Sequence, residues 1–430
     1  MLKTLRNAWR IPDLRKKIMF TLLILLLYRI GNVIPVPFIN VKELGEYFSG
    51  TLSQSILGLY NAMSGSALSQ ATLLALSIQP YINSSIIIQL LTVAIPALER
   101  MAKEEGEAGK KKIEVITRIT TVALGLLMGW AYYTMLANQG TIITETGFWP
   151  AVVIILTFTA GSAMVMWLGE QITSHGIGNG ISMILFANII SGIPGAVMTL
   201  FGEDSRVAMT GASITWWQTI IVIVGVLAMM VFIVFVNDAE RRIPVQYAKR
   251  VVGRKVYGGQ SSNLPIKVSM SGVLPVIFAQ SICSLPATIC TFAGLDGWWA
   301  TNIWSPNSWV YAALYFVMIF FFGWFYASIQ YDPVEIANNM KKNGGFIPGF
   351  RPGKPTADFI KKVINKIIVF GSVYLGIVAL LPIIAGNLMP NIQYVAIGGT
   401  SIIIVVGVAL ETVKALEAQM LMRHYKGFLD

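Results

Sequence analysis

The sequence predicts an all-α polytopic membrane protein with ten transmembrane helices in two five-helix halves. Three observations predict it. Of 430 residues, 55% are hydrophobic and only 12% charged, against roughly 25% charge in a soluble domain. Apolar runs of about 20 residues, enough to cross a hydrocarbon core of about 30 Å, recur along the whole chain. The 32 lysines and arginines gather in alternate connections between those runs.

The runs lie near 18–38, 71–97, 115–136, 148–170, 177–200, 214–237, 267–293, 309–331, 366–386 and 392–413. The first starts like a secretory leader. It lacks a small-x-small cleavage pattern and is followed by Arg29, so it reads as a retained span. Between Lys42 and Gln70, "SQSILGLYNAMSGSALSQ" is too short and too rich in Ser and Gly to span. The chain thus divides into a tail at 1–17, a first half at 18–200, an external linker at 201–213, a second half at 214–413 and a tail at 414–430. Apart from Arg29, Lys42, Arg118 and Arg206, every Lys and Arg lies in a tail or in 98–114, 238–267 or 332–366. By the positive-inside rule those segments are cytoplasmic, both termini included. The net charge of +11 therefore describes one face of the protein and not a nucleic-acid surface.

Five crossings reverse the chain, so two such halves are expected to be inverted repeats with a passage between them. Several spans carry interruptions: Pro80, Pro194, Pro275, Pro286 and Gly398-Gly399-Thr400-Ser401. Irregular backbone at membrane depth is tolerated where it is buried in protein or lines water. Small residues also serve helix packing, the role expected of Gly125 and Gly129. In "ALSIQPYINSSIIIQL", helical spacing puts Ile78, Ile82, Ser85, Gln89 and Thr92 on one face. That face starts apolar and turns polar toward the cytoplasm. A lipid-facing stripe would not do so. A water-filled funnel narrowing to an apolar constriction would, and such constrictions hinder ions by dewetting.

Other chemistries lack their residues. A coupled transporter needs a carboxylate or His in a span centre, but Glu170 and Glu411 sit at span ends. Arg29 reads as a structural partner for carbonyls. No GxSxG, no pair of membrane aspartates and no zinc set supports an intramembrane protease, so no enzyme and no cofactor is expected. "GIGNG" (Gly176 to Gly180) follows no strand and reads as a turn. Cys283 and Cys290, seven apart on one helix, have Cα atoms about 10.5 Å apart. That exceeds the reach of a disulfide, about 7 Å, so both read as buried thiols. Of the basic loops, 241–267 alternates as a hairpin does, with Gly258-Gly259 as one turn. In 332–362, Gly/Pro turns flank Arg351 and would aim it at an acidic partner.

These residues resemble the SecY family, central subunits of the bacterial protein-conducting channel. The likeness rests on "YRIGNVIPVP" (28–37), "SIQPYINSSIIIQLLT" (77–92), "WLGEQIT" and "GIGNGIS" (167–182), "QYAKRVVGRKVY" and "LPIKVSMSGVLPVIFA" (246–279), "FIPGFRPGKPTADFI" (346–360) and "GGTSIIIVVGV" (398–408). The resemblance implies an hourglass pore whose waist is Ile78, Ile82, Ile181, Leu185, Ile277 and Ile404. It implies a plug near 56–70, including Ile56, Leu57, Leu59, Tyr60, Met63 and Leu68. A lateral gate into lipid would include Asn83, Ser85, Gln89, Thr92, Ser281 and Leu285. The loops 238–266 and 332–365, with Arg242, Arg250, Arg254, Lys255, Arg351 and Lys354, would dock the SecA ATPase or a translating ribosome. SecE and SecG would be partner subunits, and signal peptides, nascent polypeptides and membrane lipids would meet the channel itself. The location implied is the bacterial plasma membrane.

Overall fold

The computed structural model describes residues 2–50, 56–145, 147–201, 216–247, 250–252, 255–257, 261–269, 272–293, 303–304, 308–388 and 399–426. Arg254, Gly258-Gly259, Gly398, Arg206 and nearly all of the expected linker lie outside them.

Each of the ten apolar runs carries a helix. In chain order the helices are α1 (Leu2–Arg10), α2 (Pro12–Gly31), α3 (Val41–Gly50), α4 (Ile56–Ser64), α5 (Gln79–Ala94), α6 (Pro96–Lys103), α7 (Gly106–Asn138) and α8 (Phe148–His175). There follow α9 (Gly180–Phe201), α10 (Trp216–Asp238), α11 (Leu274–Ala293), α12 (Trp309–Gln330), α13 (Pro333–Lys342), α14 (Lys354–Leu388) and α15 (Gly399–Lys426). Among the described residues, α7, α8, α10, α14 and the stretch Trp309–Lys342 are each long and apolar enough to cross a membrane alone. α5 qualifies only with the following helix, from which it is bent by 105°. α9 and α11 contribute shorter apolar stretches. Rows of exposed Leu, Ile, Val and Phe on α2, α7 and α10 form an apolar outer surface, the condition of helices solvated by lipid. Trp149, Trp216, Trp217 and Trp309 are exposed at the starts of α8, α10 and α12, as in an interfacial aromatic belt.

The structure corrects several details. Pro80 does not interrupt a helix; it stands in the first turn of α5, where a missing N–H costs nothing. Residues 71–78, expected as helix, form turns. They are buried at depth because their backbone is paired: Val36 N–H bonds to the Ala71 carbonyl at 2.9 Å and Leu73 N–H to that of Ile34 at 2.8 Å. Gly161 of α8 makes room for them, since a Cβ there would lie 1.9 Å from the Leu73 carbonyl oxygen. Pro275 likewise starts α11, leaving Pro286 as that helix's internal proline. Gly125 and Gly129 of α7 face α8, with Ser162 and Ile155 as neighbours.

The segment 354–365, expected as loop, opens the 35-residue α14, about 52 Å long and thus far longer than a bilayer core. Its projecting end organises the basic loops. β1 (Glu240–Tyr247) pairs antiparallel with β4 (Ser261–Lys267) and with β5 (Gly345–Phe346). Between β1 and β4 a smaller hairpin pairs β2 (Arg250–Val252) with β3 (Lys255–Tyr257). Ile243, Val245 and Ile266 of the sheet bury against Met340, Ile347, Ile360, Ile364 and Ile368. The two loops are one body with its own core.

Candidate functional site

Helices α2 and α4 to α9 pack on one another, as do α10 to α15. The two groups touch mainly along two seams. On one side α11 packs against α5 and α7; on the other α9 packs against α15. α4 sits between the seams, against both α9 and α11.

Four of these helices, α5, α9, α11 and α15, carry five of the six expected waist residues, and Ile78 stands directly before α5. Ile78, Ile82, Leu185, Ile277 and Ile404 are 1 to 5% exposed in one hydrophobic cluster, and Ile181 packs against it. Ile78 stands just before α5, its carbonyl accepting the Ile82 N–H at 3.1 Å. Its position is fixed by Ser77, whose φ of 49° is left-handed. Ser77 Oγ is held by Tyr28 Oη at 3.1 Å and by Asn188 Nδ2 at 3.3 Å. Asn188 Nδ2 also donates to Tyr28 Oη at 2.9 Å. This trio ties α2, the turn and α9 together at the level of the waist. Along the expected face of α5, burial gives way to exposure: Ile78 and Ile82 are buried, Ser85 half-buried and Gln89 exposed. The face opens toward the basic side.

α4 and the turns after it cover the waist from the opposite side. Leu57, Tyr60, Met63 and Leu68 are buried; α4 also contains Ile56 and Leu59. Tyr60 and Ser284 of α11 share a hydrogen bond between hydroxyls. Burial pushes the Tyr60 phenol above its ordinary range, so it is neutral and available for that bond. The Leu68 carbonyl accepts from Tyr132 Oη at 2.8 Å, and Gln280 Nε2 lies 3.3 Å from Met63 Sδ. Gly65, at φ 68°, leaves space for Arg29, whose Nη1 would be 2.9 Å from a Cβ there. Arg29 Nη2 donates to the Ala187 carbonyl at 2.8 Å. The structural partner for that arginine is thus a carbonyl of α9. A small gap between α4 and the waist is lined by Leu57, Met63, Ile78 and Leu185.

The α5–α11 seam mixes closure with frustration. Ser281 is buried and Leu285 39% exposed, one turn apart on α11. Across the seam Tyr326 Oη of α12 donates to Gln89 Oε1, while Gln89 Nε2 donates to Ser85 Oγ at 3.1 Å. Thr92 turns its hydroxyl back to the Ile88 carbonyl. Asn83 Oδ1 and Gln280 Oε1 are buried without a protein hydrogen-bond partner. Each such group costs about 1–3 kcal/mol, comparable with what a seam hydrogen bond contributes. Ser284, Tyr326, Tyr28 and Asn188 were missed in the sequence, as was the hydroxyl contact of the expected Tyr60 with Ser284. The one signal was hydroxyl and amide groups on otherwise apolar helices.

On the basic body, Arg242 extends from β1 beside Glu240 at 3.9 Å and is largely exposed. Arg351 is exposed between Gly349 (φ 87°) and Gly353 (φ 107°). Its carbonyl accepts from Thr356 Oγ1 at 2.8 Å, and Phe350 packs on Phe359 in a tilted pair with ring centres 4.3 Å apart. The turn is rigid and presents the guanidinium outward. Lys354 is exposed at the start of α14, and Arg250 and Lys255 lie on β2 and β3.

Fold and site together define a polytopic helical membrane protein with a cluster of aliphatic residues buried between two helix groups. The family model for SecY matches residues 72–413. The protein translocase subunit SecY of Streptomyces galbus is 44% identical over the full length of both chains. That of Corynebacterium glutamicum is 42% identical, covering 98% of this chain and 99% of its own. A solved protein-conducting channel superposes with a TM-score of 0.64 at 19% identity, covering 94% of this chain and 92% of that one. Sec61 in a canine ribosome–channel complex superposes with a TM-score of 0.61 at 18% identity over the same shares. The chain belongs to the SecY family, and it is a protein-conducting channel subunit of the translocase.

Proposed function

We propose that unfolded polypeptides cross between the two helix groups, through the ring of Ile78, Ile82, Ile181, Leu185, Ile277 and Ile404. The observation that carries this reading is the placement of all six on or beside α5, α9, α11 and α15, four of the helices at the two seams, beneath α4. Aliphatic side chains can part around a chain and close again without leaving an unsatisfied polar group. The segment 56–70 acts as the plug. The α5–α11 seam, with α7 and α12 beside it, acts as the lateral gate through which hydrophobic segments enter lipid. The basic body faces the cytoplasm and docks SecA or a ribosome, while SecE and SecG complete the complex in the bacterial plasma membrane. A relative seen in a ribosome–channel complex supports the ribosome as a partner.

The test uses the contact between Gln89 and Tyr326. Cys283 and Cys290, both free and buried, are replaced by Ala, and Gln89→Cys and Tyr326→Cys are joined by a short bifunctional reagent. In reconstituted complexes, motor-driven secretion and insertion of a new transmembrane helix should both stop. A long flexible reagent should restore them. Complete short cross-linking with normal insertion would place the exit elsewhere.

A further inference from the structure

The two ends of the chain meet on the basic side, and the first helix keeps an outward face. Thr4 Oγ1 of α1 donates to Glu417 Oε1 of α15 at 3.0 Å. Ala8 is fully buried in a small cluster with Leu14, Ile177 and Leu416. Arg6, Asn7, Trp9 and Arg10 remain exposed, Trp9 by 46%. Helical spacing sets Trp9 about 100° from Ala8 and about 60° from Arg6. The indole thus lies on the border between the packed face and the basic face. Ile11 is extended (φ −89°, ψ 116°), which breaks the helix axis before Pro12 starts α2. The first turns of α2 carry exposed Arg15 and Lys16, and then Leu22, Leu23 and Leu26 are each more than half exposed. Those leucines are a lipid-facing stripe. α1 therefore adjoins the level at which α2 enters hydrocarbon.

We propose that α1 is an interfacial helix docked on the anionic phospholipid surface of the leaflet on the basic side. Two observations select that occupant. The face is cationic, and it continues into the apolar stripe of α2, which a bilayer must already cover. An indole fits the headgroup level, where its ring is among acyl chains and its N–H among polar groups. Each nearby arginine gains about fivefold in binding from an anionic surface. Few residues suffice because α1 is already tethered at the membrane by α2. The docking has a consequence beyond anchoring. α1 also grips α15, the helix that carries Ile404, so leaflet charge strengthens a contact between the first and last helices of the chain.

The complex is placed in lipid nanodiscs with and without phosphatidylglycerol, again with Cys283→Ala and Cys290→Ala. A nitroxide on Trp9→Cys reports contact with apolar oxygen against a polar nickel reagent. With phosphatidylglycerol the label should enter the bilayer, while a label on Asn7→Cys, on the far side of α1, should stay in water. Arg6→Gln and Arg10→Gln, both at exposed positions, should each lower the docked-to-undocked ratio about fivefold. A label at position 9 that stays in water in both discs would overturn the proposal. Equal burial in both discs, insensitive to the arginines, would overturn the anionic partner. Equal protection by inorganic phosphate in detergent would overturn the membrane as the surface bound.

Discussion

At the scale of single residues, the proposed plug meets its neighbours through the Tyr60–Ser284, Tyr132–Leu68 and Gln280–Met63 contacts. Tyr60→Phe removes the bond to Ser284 while keeping the ring's volume. The loss of about 1 kcal/mol of closed-state stability should raise the resting ion leak of reconstituted channels about fivefold. An unchanged leak would show that this bond does not hold the cover. Arg29 should matter for stability more than for gating. Arg29→Ala deletes the charged bond to the Ala187 carbonyl, a contribution of about 1.5–3 kcal/mol, and should lower the melting temperature of the purified complex. The arginine's need for a carbonyl was legible in the sequence because a buried guanidinium requires one. Its actual partner was not, since the contact joins residues 158 positions apart.

At the scale of elements, apolar run length located the long helices but neither their paths nor the short helices α1, α3, α4, α6 and α13. Such a run reports burial from water, and burial does not require a helix when other chain supplies the hydrogen bonds. Residues 71–78 are the case in point: they turn because residues 34–36 pair with them and Gly161 leaves room. Gly161→Ala should therefore misplace that turn and the Ile78 that follows it, costing about 1–3 kcal/mol. Thermal unfolding should report the loss, whereas a normal melting temperature would mean that α8 yields without disturbing the turn. Strand patterning foretold an antiparallel ribbon in 241–267, but the joint core with α13 and α14 was hidden because its residues come from separate loops. That core makes the Arg351 turn a rigid projection. Arg351→Glu should reduce motor-driven translocation at least tenfold through repulsion of an acidic partner surface, with little change in melting temperature because the side chain is exposed. Translocation at the normal rate would assign the arginine to membrane topology alone.

At the scale of the molecule, we propose that the two seams and α4 between them work as one device. Hydrophobic patterning gave its parts, and family motifs assigned their roles; the packing explains why these helices are paired. α5 and α11 meet beside the Gln89–Tyr326 contact, while α15 of the α9–α15 seam is also clasped by α1. Opening is thus expected at the first seam with the second as its hinge. The central claim is that a polypeptide in transit touches the ring itself. A photoreactive amino acid placed in turn at Ile82, Leu185, Ile277 and Ile404, and for comparison at Leu26 on the outer face of α2, measures this directly. With a secretory chain arrested midway by a folded domain at its end, the four ring positions should each cross-link to it and position 26 should not. Cross-links from position 26 with none from the ring would contradict the account.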